Sequence, residues 1–458
     1  MKKLVVIGLD CADPSLVFDE FLDGLPTLRS LMARSEYGVL RSSTPPITVP
    51  AWMCMVTGKD PGQLGVYGFE HRYGPGYTET EIASSAVLRH PTAWDLLGRR
   101  GLHSIVLGVP MTYPPRPIRG ALITGILTPS EASPYTYPSS LKAQVEAWVG
   151  PYRYDIPYFR HQDRAQLIPD VRRMTEQRFR LASQLAANRP WDFLMVIEMG
   201  PDRMHHAFWS DHDPTHPSHD PSSPFCSALR EYYEFLDAQL GMFLHTVPTD
   251  ADVVVVSDHG AQAMRGGFCL NEWLMERGDL TLHRHPTERT GIDPLIRHGA
   301  VDWSRTRAWG TGGYCGRIFA NIRGRQPNGT LSESETERYL GDVSSALKEI
   351  PLHGNDRRIE TKTFRPSEIY REVNGHPPDL LVHFGDLAWR SIGSVGLGQL
   401  QSSENDTGPD HANHRTEGLY IRPPHGRPPG RGPEQQITDV HGWILDHFVV
   451  KEVGEFVP

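Results

Sequence analysis

Five short apolar runs in this chain stop abruptly at a polar residue: LVVIGLD (4–10), SIVLGVP (104–110), FLMVIEMGPD (193–202), DVVVVSDHG (252–260) and DLLVHF (379–384). Near-continuous Val, Ile and Leu without polar alternation marks strands buried on both faces, the mark of a parallel sheet covered by helices. Helix-period patterns lie between the runs at 25–34, 90–101, 168–188 and 227–244, and the apolar pattern at 437–450 predicts a closing helix. Strand and helix therefore alternate, which predicts an α/β fold with a doubly wound, mostly parallel sheet flanked by helices. In such sheets ligands sit beyond the carboxyl ends of the strands, where three runs place an acid: Asp10, Asp202 and Asp258.

Composition narrows the function classes. A net charge of −9 gives no positive field for a nucleic-acid polymer or an anionic membrane surface, so the expected partner is a small phosphorylated molecule met by a local basic pocket. No apolar run reaches the ~18 residues of a membrane helix, and the one after the two N-terminal lysines ends at Asp10, short of a signal-peptide core of ~7–15 residues. A cytoplasmic location is the corresponding expectation. Cys11, Cys54, Cys226, Cys269 and Cys315 are odd in number and scattered, and read as small buried hydrophobes in a reducing compartment. With 43 Gly and 39 Pro, long loops are expected at 67–90, 110–165, 210–225 and 261–315, and 422–435 reads as a Pro/Gly surface loop.

Five segments carry the chemistry. In Asp202-Arg203-Met204-His205-His206 a carboxylate and an imidazole four residues apart share one face of a helical turn, so Asp202 and His206 can reach one cation; His205 is expected in a solvated surface turn. Asp258-His259-Gly260 follows VVVV, where a tight turn lets both side chains point at a metal; the competing reading is an Asx-type turn with an incidental His. Asp10 reads equally as a helix N-cap or a ligand. In STPPITVPAWMCMVTG (43–58), Thr48 stands between prolines at the mouth of a helix whose N-terminus favours an anion, while Thr44 is a turn residue. HANHRTEGLYIRPP (411–424) offers His411 or His414 as a further ligand before a strand.

In this order the five segments resemble the alkaline phosphatase superfamily, in its type I phosphodiesterase/nucleotide pyrophosphatase branch, over about residues 4–70, 190–275 and 375–450. The resemblance implies one alkaline-phosphatase-like α/β domain spanning 1–458, interrupted by lid or cap insertions at about 110–165 and 270–375. It places Asp202, His206 and His414 at one metal and Asp10, Asp258 and His259 at another, with Thr48 as nucleophile. His414 takes precedence over His411 because H-R-T-E-G before LYI matches the family's His before a Gly and a strand. Three carboxylates and three imidazoles without a thiolate suit two Zn²⁺, or Mn²⁺ or another divalent ion. The implied reaction is hydrolysis of a phosphodiester or pyrophosphate bond of a nucleotide-like substrate through a phospho-threonine.

Thr48 separates this chain from neighbouring branches. Sulfatases need Cys or Ser in C/S-x-P-x-R, whereas the frame here reads Thr48-Val49-Pro50-Ala51-Trp52. Phosphomonoesterase, phosphomutase or phosphonoacetate-type hydrolysis on the same site is the alternative within hydrolases; a catalytically silent metal-binding partner protein is the alternative outside them. One departure stands out: where eukaryotic-type nucleotide pyrophosphatases carry an Asn that donates to a phosphoryl oxygen, this chain has Phe69. Such a donor is worth about 3–4 kcal/mol in the transition state. Tyr67, His71, Arg72 and Arg203 are the replacements nearest in sequence and are expected to contact substrate. Tyr113, Tyr135, Tyr137, Trp309 and Tyr314, with Arg116, Arg119, Arg265 and Arg307, suit stacking a base and pairing a phosphate, or equally lid packing. Cys11, where relatives usually have Gly, is expected to be buried rather than a ligand.

Overall fold

A computed structural model describes residues 2–352 and 358–450. The larger of its two main sheets has a parallel centre in the order Asp252–Val256, Leu4–Leu9, Phe193–Glu198, Ser104–Leu107, Gly120–Ile123. Every residue of Leu4–Leu9 and Phe193–Glu198 is buried, as an uninterrupted apolar run requires. Beyond Asp252–Val256 the sheet turns antiparallel through Glu417–Arg422, which pairs on its other side with Glu36–Arg41. Helices Arg164–Asn188, Gly200–His212 and Ala228–Leu244 pack on one another, and Thr48–Thr57 packs on Asp439–His447. Gly8 lets the Thr48–Thr57 helix lie close to the first strand: a Cβ there would stand 2.3 Å from both Trp52 Cη2 and Ile197 Cδ1.

Residues 266–402 build the second sheet, in the order Ala308–Thr311, Gly316–Ala320, Leu380–Phe384, Trp389–Ile392, Gly266–Cys269, Gln401–Ser402, with Thr361–Phe364 also on Leu380–Phe384. Here the sequence expectation needs correction. The run 379–384 is not a strand of the parallel sheet but pairs antiparallel with both Gly316–Ala320 and Thr361–Phe364. Its apolar continuity has another cause: Leu380, Val382 and Phe384 enter the core of the second sheet, while Leu381 on the opposite face packs with Ile47, Tyr67 and Tyr370. The helix expected at 168–188 begins earlier, at Arg164, because the Asp163 side chain caps it by accepting from Ala165 N at 3.0 Å. The 422–435 segment is more than a loop, since Gly430–Arg431 and Gln435–Gln436 both pair in parallel with Glu36–Arg41.

The parallel strands all end at one edge, which gathers Asp10, the Gly200–His212 helix and Asp258. A two-stranded ribbon, Gly260–Ala263 against Ala412–Arg415, then adds His414 directly opposite Ala261.

Candidate active site

The turn after the first strand sets the first group of side chains. Cys11 has φ of 64°, a left-handed conformation that glycine adopts without penalty, and its N–H donates to Asp258 Oδ1 at 3.1 Å. The Cys11 thiol is buried and faces Gly260 O at 3.4 Å. Asp10 Oδ2 accepts from Trp52 Nε1 at 2.6 Å, which turns Oδ1 toward His259 Nε2, 3.9 Å away. His259 Nε2 also lies 3.2 Å from Asp258 Oδ2 and 3.3 Å from Thr48 Oγ1. Thr48 is the first residue of its helix. The first-turn N–H groups of Thr48 and Val49 have no intrahelical acceptor, and Pro50 has no N–H.

The second group comes from the Gly200–His212 helix and the ribbon. Asp202 Oδ1 lies 3.3 Å from His206 Nε2 and 3.6 Å from His414 Nε2. The His259 and His414 rings stack with centroids 3.8 Å apart, so the two groups are contiguous. Ligand-type atoms of Asp10, Asp258 and His259 all fall within 4.8 Å of one another, as do those of Asp202, His259 and His414. His206 reaches the second set through Asp202. His411 is turned elsewhere, its ring against His216.

The polarity of these buried atoms is what a cation requires. Asp10 Oδ1, Asp202 Oδ1, Asp258 Oδ2 and His414 Nε2 are buried without a hydrogen-bond partner, a costly state for carboxylates unless an ion compensates it. Burial, then Asp202, pushes the Asp10 carboxyl well above the usual range; burial, then Asp10, does the same to Asp258. Burial also opposes ionisation of Asp202, but His206 and Arg203 outweigh it and hold that carboxyl well below its ordinary value. Burial lowers His259, and lowers His414 to about 4, so both are neutral imidazoles near pH 7. Each of the three rings faces an acceptor with Nδ1: Gly260 O at 3.2 Å for His259, Pro46 O at 2.8 Å for His414 and Asp410 Oδ1 at 2.8 Å for His206. The protons therefore sit on Nδ1, and the Nε2 lone pairs point into the cluster, the arrangement of metal-binding histidines. Two buried Asp/His clusters consistent with a bimetal site thus stand at the sheet edge beside the Thr48 hydroxyl.

The four residues expected to contact substrate are distributed differently. Arg203 touches the cluster by donating to Asp202 Oδ2, and its guanidinium also forms a two-pronged pair with Asp155 at 2.7 and 2.9 Å. Tyr67 is buried and donates its hydroxyl to Asn374 O at 2.6 Å. Arg72 donates to Gly76 O and lies over the Phe319 ring of the second sheet, at 4.8 Å. His71 sits in the short hairpin Glu70–Arg72 with Thr80–Ile82. Of the aromatics offered for base stacking, Tyr135 and Trp309 are core residues at 1% exposure, whereas Tyr314 stacks on His414 with centroids 3.6 Å apart. His205, expected in solvent, is fully buried and meets the Tyr233 hydroxyl at 3.1 Å, because its helix is covered by Ala228–Leu244.

Sequence reasoning missed the group behind His206. Asp410 is buried, holds His206 Nδ1 with Oδ1, and accepts from Arg160 Nε at 2.7 Å with Oδ2; Arg390 Nη2 lies 2.9 Å from that same Oδ2. The only signal for it was an acid four residues before His414.

The type I phosphodiesterase / nucleotide pyrophosphatase family profile matches residues 4–412. No curated protein matches by sequence. Among solved structures, phosphonoacetate hydrolase from Sinorhizobium meliloti 1021 bound to phosphonoacetate superposes with a TM-score of 0.62 at 16% identity, covering 97% of this chain and 96% of that one. Murine ectonucleotide pyrophosphatase / phosphodiesterase 5 gives 0.53 at 13% identity, covering 99% and 97%. An inactive Thr-to-Ala form of the murine protein, in complex with AMP, gives 0.54 at 13% identity, covering 100% and 97%. These likenesses establish an alkaline-phosphatase-like fold, and the profile match over most of the chain carries the assignment: this protein is a hydrolase of the type I phosphodiesterase/nucleotide pyrophosphatase family.

Proposed function

We propose that the protein hydrolyses a phosphodiester or pyrophosphate bond of a small, nucleotide-like substrate, with Thr48 as nucleophile and Asp10, Asp258, His259, Asp202, His206 and His414 holding two divalent ions, preferably Zn²⁺. The carrying observation is the position of Thr48 Oγ1, 3.3 Å from His259 Nε2 and beside the unpartnered Asp10 and Asp258 oxygens. The two ions would supply Lewis acidity, lowering the pKa of the Thr48 hydroxyl and neutralising charge on the leaving oxygen. Thr48 Oγ1 attacks phosphorus, the bond to the leaving oxygen breaks, and water then frees Thr48 from the phospho-threonine. The N–H groups of Thr48 and Val49 face the anion at the helix N-terminus, where the dipole favours negative charge. Nδ1 contacts to Gly260, Pro46 and Asp410 hold the three imidazoles in a ligating orientation throughout.

Replacement of a threonine inactivates the murine relative, which supports Thr48 in the same role here. Thr48→Ala should lower hydrolysis of bis-p-nitrophenyl phosphate by at least about 10³-fold while elemental analysis still finds two ions per chain. Full activity in that variant, or fewer than two ions in the wild type, would contradict the reading. Phosphonoacetate-type cleavage is the second reading, favoured by the phosphonoacetate hydrolase likeness. It needs a cation for the substrate carboxylate, and the guanidiniums beside the cluster are committed, Arg203 to Asp155, and Arg160 and Arg390 to Asp410. Faster turnover of phosphonoacetate than of aryl diesters would reverse this preference.

A further inference from the structure

The second sheet delivers a side chain to the metal cluster. Tyr314 lies on the connection between Ala308–Thr311 and Gly316–Ala320, and three contacts fix it there. Its carbonyl accepts from Asn413 Nδ2 at 3.0 Å, on the strand that carries His414. Gly313, just before it, exchanges backbone hydrogen bonds of 2.8 and 3.0 Å with Ser391. The ring is sandwiched between His414, at 3.6 Å, and the Arg390 guanidinium, 4.3 Å from the ring centre. His259, His414 and Tyr314 thus form a three-ring stack whose polar tips all turn toward the site: His259 Nε2 to Thr48, His414 Nε2 to Asp202 and the Tyr314 hydroxyl to His206 Nε2, at 3.4 Å.

The direction of the phenol proton follows from its neighbours. Arg160 Nη2 stands 3.1 Å from the Tyr314 oxygen, and a guanidinium only donates, so the phenol oxygen accepts there and its own proton points elsewhere. His206 Nε2 is the acceptor within reach, but in the proposed function that lone pair belongs to a cation. The proton is then left aimed at the space over Asp202, His206 and His414. Phe69, which the family resemblance sets at the position of the Asn donor, is an apolar residue packed against the small adjoining core that contains Tyr67 and Tyr370.

We propose that the Tyr314 hydroxyl is a catalytic hydrogen-bond donor to a non-bridging phosphoryl oxygen, supplied by the second sheet in place of a donor at Phe69. This rests on the reading of the cluster as a phosphoester hydrolase site, so the two are tested separately. Wild-type turnover of bis-p-nitrophenyl phosphate tests that reading; Tyr314→Phe, which keeps the ring stack and loses only the hydroxyl, tests the donor. Tyr314→Phe should lower kcat about 10²–10³-fold, change KM less than kcat, retain the wild-type metal content, and weaken orthovanadate binding to the zinc-loaded protein by at least about tenfold. The vanadate titration reads the donor even if aryl diesters prove to be poor substrates. Unchanged kcat with unchanged vanadate affinity overturns the proposal. So does loss of a metal ion from Tyr314→Phe, which would make the phenol a ligand or a prop rather than a donor.

Discussion

Asp410→Asn isolates what a single buried charge does behind the Asp/His cluster. Asp410 meets His206 Nδ1 at 2.8 Å, Arg160 Nε at 2.7 Å and Arg390 Nη2 at 2.9 Å. Burial opposes its ionisation, but Arg390, His206 and Arg160 together hold the carboxyl far below its usual range. Asparagine keeps the shape and removes the charge. Arg390, at 1% exposure, cannot turn to water and becomes an uncompensated buried cation, which costs about 3–5 kcal/mol. An unfolding entropy of about 2.1 cal/mol/K per residue over 458 residues gives about 1 kcal/mol/K, so the Tm should fall by about 3–5 °C. The His206 Nδ1–H also loses its charged acceptor, keeping only neutral oxygens, Ala412 O at 3.2 Å among them, which should weaken metal binding by about 10–100-fold. Scanning calorimetry of the metal-stripped chain measures the first effect and chelator competition the second. Asp410→Asn with Arg390→Met, which removes both charges, should recover most of the lost Tm but not the metal affinity. A single variant that melts and binds zinc like the wild type would refute the argument; a double variant no better than the single would show that shape, not charge, sets the cost.

Two further outcomes follow from packing and titration. Gly8→Ala places a Cβ 2.3 Å from Trp52 Cη2 and Ile197 Cδ1, and should destabilise the chain by about 1–3 kcal/mol. Because Trp52 Nε1 holds Asp10 Oδ2, the same variant should also lower metal affinity; urea unfolding together with a zinc titration checks both. Burial lowers the His205 pKa to about 3, so the unfolded chain takes up a proton below about 6.5 that the folded chain refuses until about 3. Stability from this residue is therefore full above pH 6.5 and lost as the pH falls toward 3. In His205→Gln that loss is absent, so the wild-type advantage should shrink by about 2 kcal/mol between pH 7 and pH 5 in urea midpoints; a constant gap would contradict the assignment.

Residues that end strands were legible because the sheet gives them no choice of place. Leu4–Leu9, Phe193–Glu198 and Asp252–Val256 are adjacent and parallel, so acids at their carboxyl ends must converge, and Asp10, Asp202 and Asp258 do. The helix spacing of Asp202 and His206 was readable for the same local reason. Legibility failed where partners come from distant segments. Asp410, Arg160 and Tyr314 meet across sequence separations of 154 and 250 residues, and no periodicity links them. It failed again at 379–384, because an apolar run reports burial on two faces and not which sheet supplies the neighbours. His205 was misread because the pattern of its own helix does not reveal that Ala228–Leu244 covers it.

The acidic charge of the chain and a phosphate substrate are compatible once the cluster is counted by itself. Three carboxylates ionised around two divalent ions in the proposed site would carry −3 against +4, leaving +1 at the cluster. The remaining net charge of the sequence, −9 overall, is spread over the molecule and screened beyond about 8–10 Å at ordinary ionic strength. Arg160 and Arg390 together add only one net positive charge behind the cluster, since Asp410 neutralises the other at close range and fixes both in place. Attraction for phosphate therefore rests chiefly on the ions and on the helix N-terminus at Thr48, both of them local. The second sheet's contribution is of another kind: it closes the far side of the cluster with a phenol whose acceptor capacity is already taken, leaving a directed proton where negative charge would develop.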